Sequence, residues 1–278
     1  MPSATSHPAR QGDSFGNLLK TWRLRRGLSQ LAFAEIAATS QRHISFLESG
    51  RSQPSRPMIL QLAASLDLPL HERNTLLAAA GFAAVFRDSP LEAAESAFVR
   101  QAIELLLAKQ EPYPAALIDC RWNQLRTNRA GEHFSSFLMD EPPPAEVFGP
   151  QGAPNLIKLL LHPRGLRSKV VNWLELSAFL IQRLRAEALR VGGDALTERL
   201  FDEIACFPDM PEQWPTLGAG QLDSPVLMTH FRKNGIDLRF FTTITTLGAP
   251  LDAGLEQLRL ESYFPADEAT EAFMRQFA

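Results

Sequence analysis

The sequence predicts an all-α domain of five short helices over residues 14–87, followed by an α+β domain over residues 88–278 built on a five-stranded antiparallel sheet. Three observations predict it. Up to about residue 80, apolar residues recur at helical spacing in short runs punctuated by Ser, Pro and Gly. That rhythm breaks around Arg87 to Pro90. Beyond Ala116 the spacing shifts to strand-like runs, and it returns to alternation after Val226, around the Asn234-Gly235 pair.

The first helix spans Phe15 to Arg26, with Phe15, Leu18, Leu19 and Trp22 on one side and Gly27 as its stop. Ser29 caps a second helix to Ala38, and Thr39 leaves a tight turn before Ser40 caps a third, to Ser49, with Gly50 beyond it. Pro57 to Leu66 and Pro69 to Ala80 repeat the pattern, with Gly81 as the last stop.

The third helix is the informative one. At 100° per residue, Ile44 and Leu47 point inward while Arg42, Ser45, Phe46 and Ser49 cluster opposite, with Gln41 at the edge. A guanidinium can fork onto guanine, an amide near a helix start can pair with adenine, and an aromatic ring suits a thymine methyl. Two short capped helices joined by so tight a turn have helix-turn-helix spacing.

Charge supports that division. Through Arg87 there are ten Lys and Arg against five Asp and Glu, a net of +5, which leaves −8 for the rest of a chain whose total is −3. A basic head suits a polyanionic duplex; an acidic body does not, and reads as a sensor or assembly domain. Because +5 is modest, tight binding at physiological salt calls for two heads on one operator, hence a homodimer.

Leu28-Ser29-Gln30, Ser40-Gln41-Arg42, Leu47-Glu48-Ser49-Gly50-Arg51 and Pro54-Ser55 together resemble the five-helix module of the lambda and 434 repressors and Cro, the XRE type. The resemblance implies that Gln30 and Gln41 lie where such domains grip a phosphate and read bases, and that Arg42 and Phe46 face the bases; Ser29, the cap of the second helix, and Ser45, on the outward face of the third, are expected to touch DNA with them. It pairs Arg23 with Glu48 as a structural ion pair. Arg51 and Arg56, just past the recognition helix, are the expected phosphate clamps.

Residues 1–13, rich in Ser, Pro, Gly and Ala, read as a disordered arm rather than a signal peptide. The longest apolar run, Leu76 to Phe86, is too short for a membrane span. Cys120 and Cys206 lack metal-ligand spacing, so two ordinary thiols in a reducing cytoplasm are expected, with no metal and no cofactor.

In the second domain Ser89-Pro90 predicts a helix start running to Lys109, with Phe98, Ala102, Leu105 and Leu106 as a stripe packing on its own domain. Ala116 to Asp119 and Trp122 to Thr127 are short strands, and Asn128 caps a helix through Phe134 and Leu138. Strand, turn, strand, Asn and helix in succession look like the opening of a PAS domain. Glu141 to Asn155 holds five prolines and is a surface loop. Asn155 to Leu161, Leu166 to Val191 and Asp194 to Cys206 are helical. Val226 to Arg232 and Ile236 to Leu247 form a hairpin, with Ile236, Leu238, Phe240, Thr242 and Ile244 on one face, and Leu255 to Phe264 is the last strand. Helices inserted between the second and third strands make the architecture PAS-like.

Ser40 to Arg51 with Pro69-Leu-His-Glu-Arg-Asn74, and Phe240-Phe-Thr-Thr-Ile-Thr-Thr-Leu-Gly248 with Phe264-Pro-Ala-Asp-Glu-Ala-Thr270, resemble MmyB-like transcription regulators. The resemblance implies double-stranded DNA as partner and a fatty-acid-like lipophilic ligand in the C-terminal domain. Trp122, Phe134, Phe137, Trp173, Phe179, Phe231, Phe240 and Phe264 are expected to line an apolar pocket, with Arg126, Asn172 or Arg239 as its polar end for a carboxylate. The rival reading makes the same domain a protein-interaction platform without a small ligand. There is no Gly-rich phosphate loop, no His-Glu-x-x-His and no Gly-x-Ser-x-Gly, so an enzyme is not expected. His162 and His230 are isolated, His230 as a satisfied structural histidine, and Asp119 and Glu261 read as scattered strand-end or surface carboxylates.

Overall fold

The computed structural model describes residues 14–149, 152–191, 195–208, 210, 228–248 and 252–277. The arm expected at 1–13 and the strand start expected at Val226 lie outside the described residues. The chain forms two compact units.

The first unit contains α1 (Phe15–Arg25), α2 (Gln30–Ile36), α3 (Gln41–Glu48), α4 (Arg56–Ser65) and α5 (Leu70–Ala79). Leu19, Phe33, Ile44, Leu47, Ile59, Leu62 and Leu77 are fully buried in its core. Gly16 is required there: a Cβ would lie 2.6 Å from the carbonyl oxygens of Leu47 and Glu48, so its bare backbone lets α1 seat on the end of α3. The unit continues to Ser96 and takes in a later segment of the chain, including Asp252 to Glu256. Pro69, at the start of α5, offers no side-chain cap; the Glu256 carboxylate accepts the Leu70 N–H instead, at 2.7 Å. Ala253 N donates to Arg87 O at 2.6 Å and Ser89 N to Asp252 Oδ1 at 3.1 Å, fixing the segment along its length.

The second unit opens with α6 (Ala97–Lys109), then β1 (Ala115–Ile118), β2 (Gln124–Thr127), α7 (Arg129–Leu138), α8 (Leu156–Leu161), α9 (Trp173–Val191) and α10 (Ala195–Ala205). β3 (Met228–Lys233) and β4 (Ile236–Thr246) follow; α11 (Ala253–Glu256) is the segment belonging to the first unit, and β5 (Arg259–Pro265) and α12 (Glu268–Met274) close the chain. The five strands are antiparallel in the order β2-β1-β5-β4-β3, so the last strand in sequence is the central one. Asn234 and Gly235 turn the β3–β4 hairpin at φ of 52° and 77°, the left-handed region that this pair tolerates. The helices enter between the second and third strands, as expected.

Several boundaries move. α6 begins at Ala97 rather than near Pro90, because Ser96 Oγ donates to Pro90 O at 3.0 Å and closes an irregular turn first. Its buried residues are Ile103 and Leu107; Phe98, Leu105 and Leu106 of the expected stripe are exposed, Phe98 at 81%. Trp122 is not in a strand but in the turn, at φ 67°, where Asp119 Oδ1 accepts from the amides of Arg121 and Asn123 at 2.8 and 2.9 Å. α9 starts at Trp173 instead of Leu166, since Val171 N donates to His230 O at 2.7 Å and Val170 bridges to Phe231, holding the chain extended. Leu255 is helical, not extended: Asp252 Oδ1 accepts from Gly254 N and Leu255 N at 3.0 and 3.4 Å. α12, capped by Asp267 through Thr270 N at 2.8 Å, was not foreseen.

Candidate DNA interface and ligand-domain core

Ser29 and Ser40 cap α2 and α3 by accepting from the amides of Ala32 and His43, each at 3.1 Å. α3 buries Ile44 and Leu47 completely and leaves Gln41 and Arg42 exposed, with Ser45 and Phe46 half-buried. The Arg42 guanidinium lies 5.1 Å from the Phe46 ring centre, so two side chains expected to face DNA brace each other one helical turn apart. Arg51 and Arg56 are exposed beyond the helix.

Behind this face lies a closed polar network. Arg23 grips Glu48 with two hydrogen bonds, Nε to Oε1 at 2.6 Å and Nη2 to Oε2 at 3.0 Å, and gives Nη1 to Leu28 O at 2.7 Å. Gln30 donates to the same Glu48 carboxylate at 2.9 Å. Arg23 is therefore structural, as expected, and Gln30 ties the start of α2 to the end of α3 while keeping its amide oxygen and second N–H for other partners.

In the second unit Phe134, Phe231 and Phe240 meet edge to face, with Phe134 5.3 Å from Phe231 and 5.2 Å from Phe240. Trp122 shares that buried cluster, and Phe137 and Trp173 pack at its margin. Phe179 is half-buried on α9. Phe264 lies on the other side of the sheet, stacked on Phe241 at 5.3 Å. The polar residues expected at the pocket's end are not gathered there. Arg239 pairs with Asp267 at 3.1 Å, and Asn172 ties the start of α9 to β3 through Met228 O at 2.6 Å and His230 N at 3.0 Å. Arg126 lies 3.7 Å from Glu104 and lines, with Glu111, Asn128 and Glu132, a groove of about 440 Å³ between α6 and α7.

Sequence reasoning misplaced Glu261. It is no surface carboxylate: it is 6% exposed at the middle of the central strand, directly between Ala116 of β1 and Ile244 of β4. Burial pushes its carboxyl up to about 7, with the charge of Arg183 pulling the other way. Tyr263, two residues on along the same face, has its phenol pushed well up by burial and then by Glu261. Arg183, on α9, holds its guanidinium 5.1 Å from the Trp122 ring centre. Arg259, Glu261 and Tyr263 alternate with Leu260, and both sets are largely enclosed, so apolar spacing alone does not tell one face of the strand from the other. His230 is satisfied, at 2.6 Å from Asp237 Oδ1. His162 is buried against Phe207, and that burial lowers its pKa.

No helix among the described residues is long and apolar enough to cross a membrane. Residues 14–76 match a family model described as a helix-turn-helix domain, and residues 99–277 match the MmyB-like transcription regulator ligand binding domain. No curated protein gives a match. Neither matched family is an enzyme family. With the second match covering more than half of its length, the chain belongs to the MmyB-like transcription regulators, a helix-turn-helix DNA-binding domain joined to a ligand-binding domain.

Proposed function

We propose that this regulator binds a specific operator as a homodimer in the cytoplasm and that a fatty-acid-like ligand in the C-terminal domain sets its operator affinity. The observation that carries the reading is the α3 surface, where Gln41 and Arg42 are exposed over a fully buried Ile44 and Leu47. Such a surface reads base edges while the capped ends of α2 and α3, with Ser29, Gln30, Arg51 and Arg56 around them, meet phosphates. The exposed Phe98, Leu105 and Leu106 of α6 support association of two copies. The cluster of Trp122, Phe134, Phe231 and Phe240, flanked by Phe137 and Trp173, supplies apolar walls for an alkyl chain. Two cysteines outside any disulfide suit a reducing compartment.

The test is operator binding. Duplexes selected from random sequence are titrated with the full chain, with and without a panel of saturated fatty acids. The reading expects one narrow class of duplex and an affinity that shifts with at least one acid. An unchanged affinity across the panel would sink the ligand control, since a ligand of equal affinity for both states shifts nothing.

A further inference from the structure

β4 and β5 lie side by side, with Thr246 paired to Arg259, yet the chain uses residues 247 to 258 to pass between them. A turn of about two to five residues is enough to join adjacent antiparallel strands. The surplus holds α11, which belongs to the DNA-binding unit although both strands it connects belong to the ligand-binding domain. The segment Asp252 to Glu256 is fitted to that seat. Asp252 bridges to Arg87, and its Oδ1 accepts from Ser89 N at 3.1 Å. Ala253 is fully buried and donates its N–H to Arg87 O at 2.6 Å. At Gly254 a Cβ would lie 2.7 Å from Ser89 O, so a bare backbone is what lets the two stretches come this close. Glu256 supplies the carboxylate that accepts the Leu70 N–H, where Pro69 gives α5 no cap. The stretch beneath is itself held by α5, because Asn74 accepts from the amides of Val85 and Phe86, each at 3.1 Å, and donates to Phe86 O at 2.7 Å.

We propose that α11 is the transmission link of this regulator: the position of β5 decides whether Asp252 and Glu256 stay seated, and through them whether the start of α5 is held. This rests on reading the chain as a regulator whose C-terminal domain governs its DNA-binding unit. β5 is the central strand, between β1 and β4, so a change in packing on the sheet reaches it. Two residues separate Glu256 from Arg259, a span of about 10 Å at full stretch, so β5 cannot shift or twist far without pulling on α11. The seat is made of a few hydrogen bonds, each of modest net strength, and it opens while both units remain folded. When it opens, the Leu70 N–H loses its acceptor and the first turn of α5 frays, on the helix that carries Leu76 and Leu77 into the core.

Hydrogen exchange of the full chain, without DNA or ligand, reads the link directly. Leu260→Ala opens a cavity beside buried β5, Gly254→Val unseats α11, and the two are made singly and together. Leu260→Ala should speed exchange at Leu70 and Ala253 about fivefold, the protection that one hydrogen bond provides, while the Leu62 amide in the core of the DNA-binding unit keeps its rate. In Gly254→Val both amides are already fast, and adding Leu260→Ala changes them no further. Leu260→Val replaces the alanine variant if that one does not fold. Unchanged protection at Leu70 in Leu260→Ala, a rise shared by Leu62, or the same increment with and without Gly254→Val would overturn the link. Neither operator nor fatty acid enters the experiment, so the ligand-control reading stands or falls separately in the operator titration.

Discussion

Arg23 and Glu48 in the DNA-binding unit and Glu261 in the ligand-binding domain are buried to similar extents, at 6, 9 and 6% exposure, but their surroundings differ. Glu48 receives two hydrogen bonds from Arg23 and a third from Gln30, all from within its own unit. Glu261 has an apolar sheet on either side and a guanidinium acting from α9. A network that closes on itself fixes how helices meet; a buried charge left open makes stability depend on what else arrives. The first belongs to a head that presents α3 in one orientation. The second suits a domain that responds.

Breaking the closed network should have the largest effect. Glu48→Ala strands the Arg23 guanidinium inside the head, and a loss of about 3–5 kcal/mol is expected, read as a lower melting temperature of the DNA-binding unit. An unchanged melting curve would mean that the network is ornamental and the contrast false.

Glu261→Gln should act in the opposite direction, and only at higher pH. The folded carboxyl titrates at about 7 against an ordinary 4.5, so the folded chain holds a proton that the unfolded chain has lost between those values. Native stability therefore declines as pH rises from about 4.5 to about 7 and is level above. Glutamine abolishes that decline, and urea melts at pH 8 should show a gain of up to about 3 kcal/mol that vanishes in acid. A loss of stability at pH 8 would show that the Arg183 attraction outweighs the burial of charge.

At the DNA face the effects are smaller and sort by partner. Arg42→Ala should cost roughly 1–3 kcal/mol on the preferred duplex and relax preference at one base position, whereas Arg51→Ala should weaken all duplexes alike. Anisotropy on matched and mismatched duplexes separates them; equal losses everywhere for Arg42→Ala would remove its base-reading role. Ser40→Ala should be smallest, about 1 kcal/mol of stability from the lost cap at the His43 amide, measured by thermal melts.

The same contrast explains what could be read in advance. In the head every signal is local: Ser29 and Ser40 before α2 and α3, Gly27 and Gly50 after α1 and α3, and apolar spacing that places Ile44 and Leu47 in the core. The β3–β4 hairpin was equally legible because Asn234 and Gly235 carry their own backbone preference. The enclosed carboxyl of Glu261 was not. β5 is flanked on both sides, so Glu261 and Tyr263 face the helices while Leu260 is buried on the reverse, and no alternation distinguishes the two. Arg183 is 78 residues earlier by numbering, roughly, and nothing in its surroundings on the chain announces Glu261. Arg239 and Asn172 were attractive as an acid anchor from their strand and helix positions, but Asp267 and the β3 backbone engage them. Glu256 is similar: its role at the start of α5 depends on a chain return of 186 residues.

The contrast turns on a buried carboxyl that the ligand-binding domain keeps near its point of titration. A carbon-13 titration of glutamate side-chain carboxyls in the full chain tests it most directly. The account predicts a resonance, absent in Glu261→Gln, that titrates at about 7. A spectrum in which the Glu261 resonance titrates at the ordinary 4.5 would contradict it.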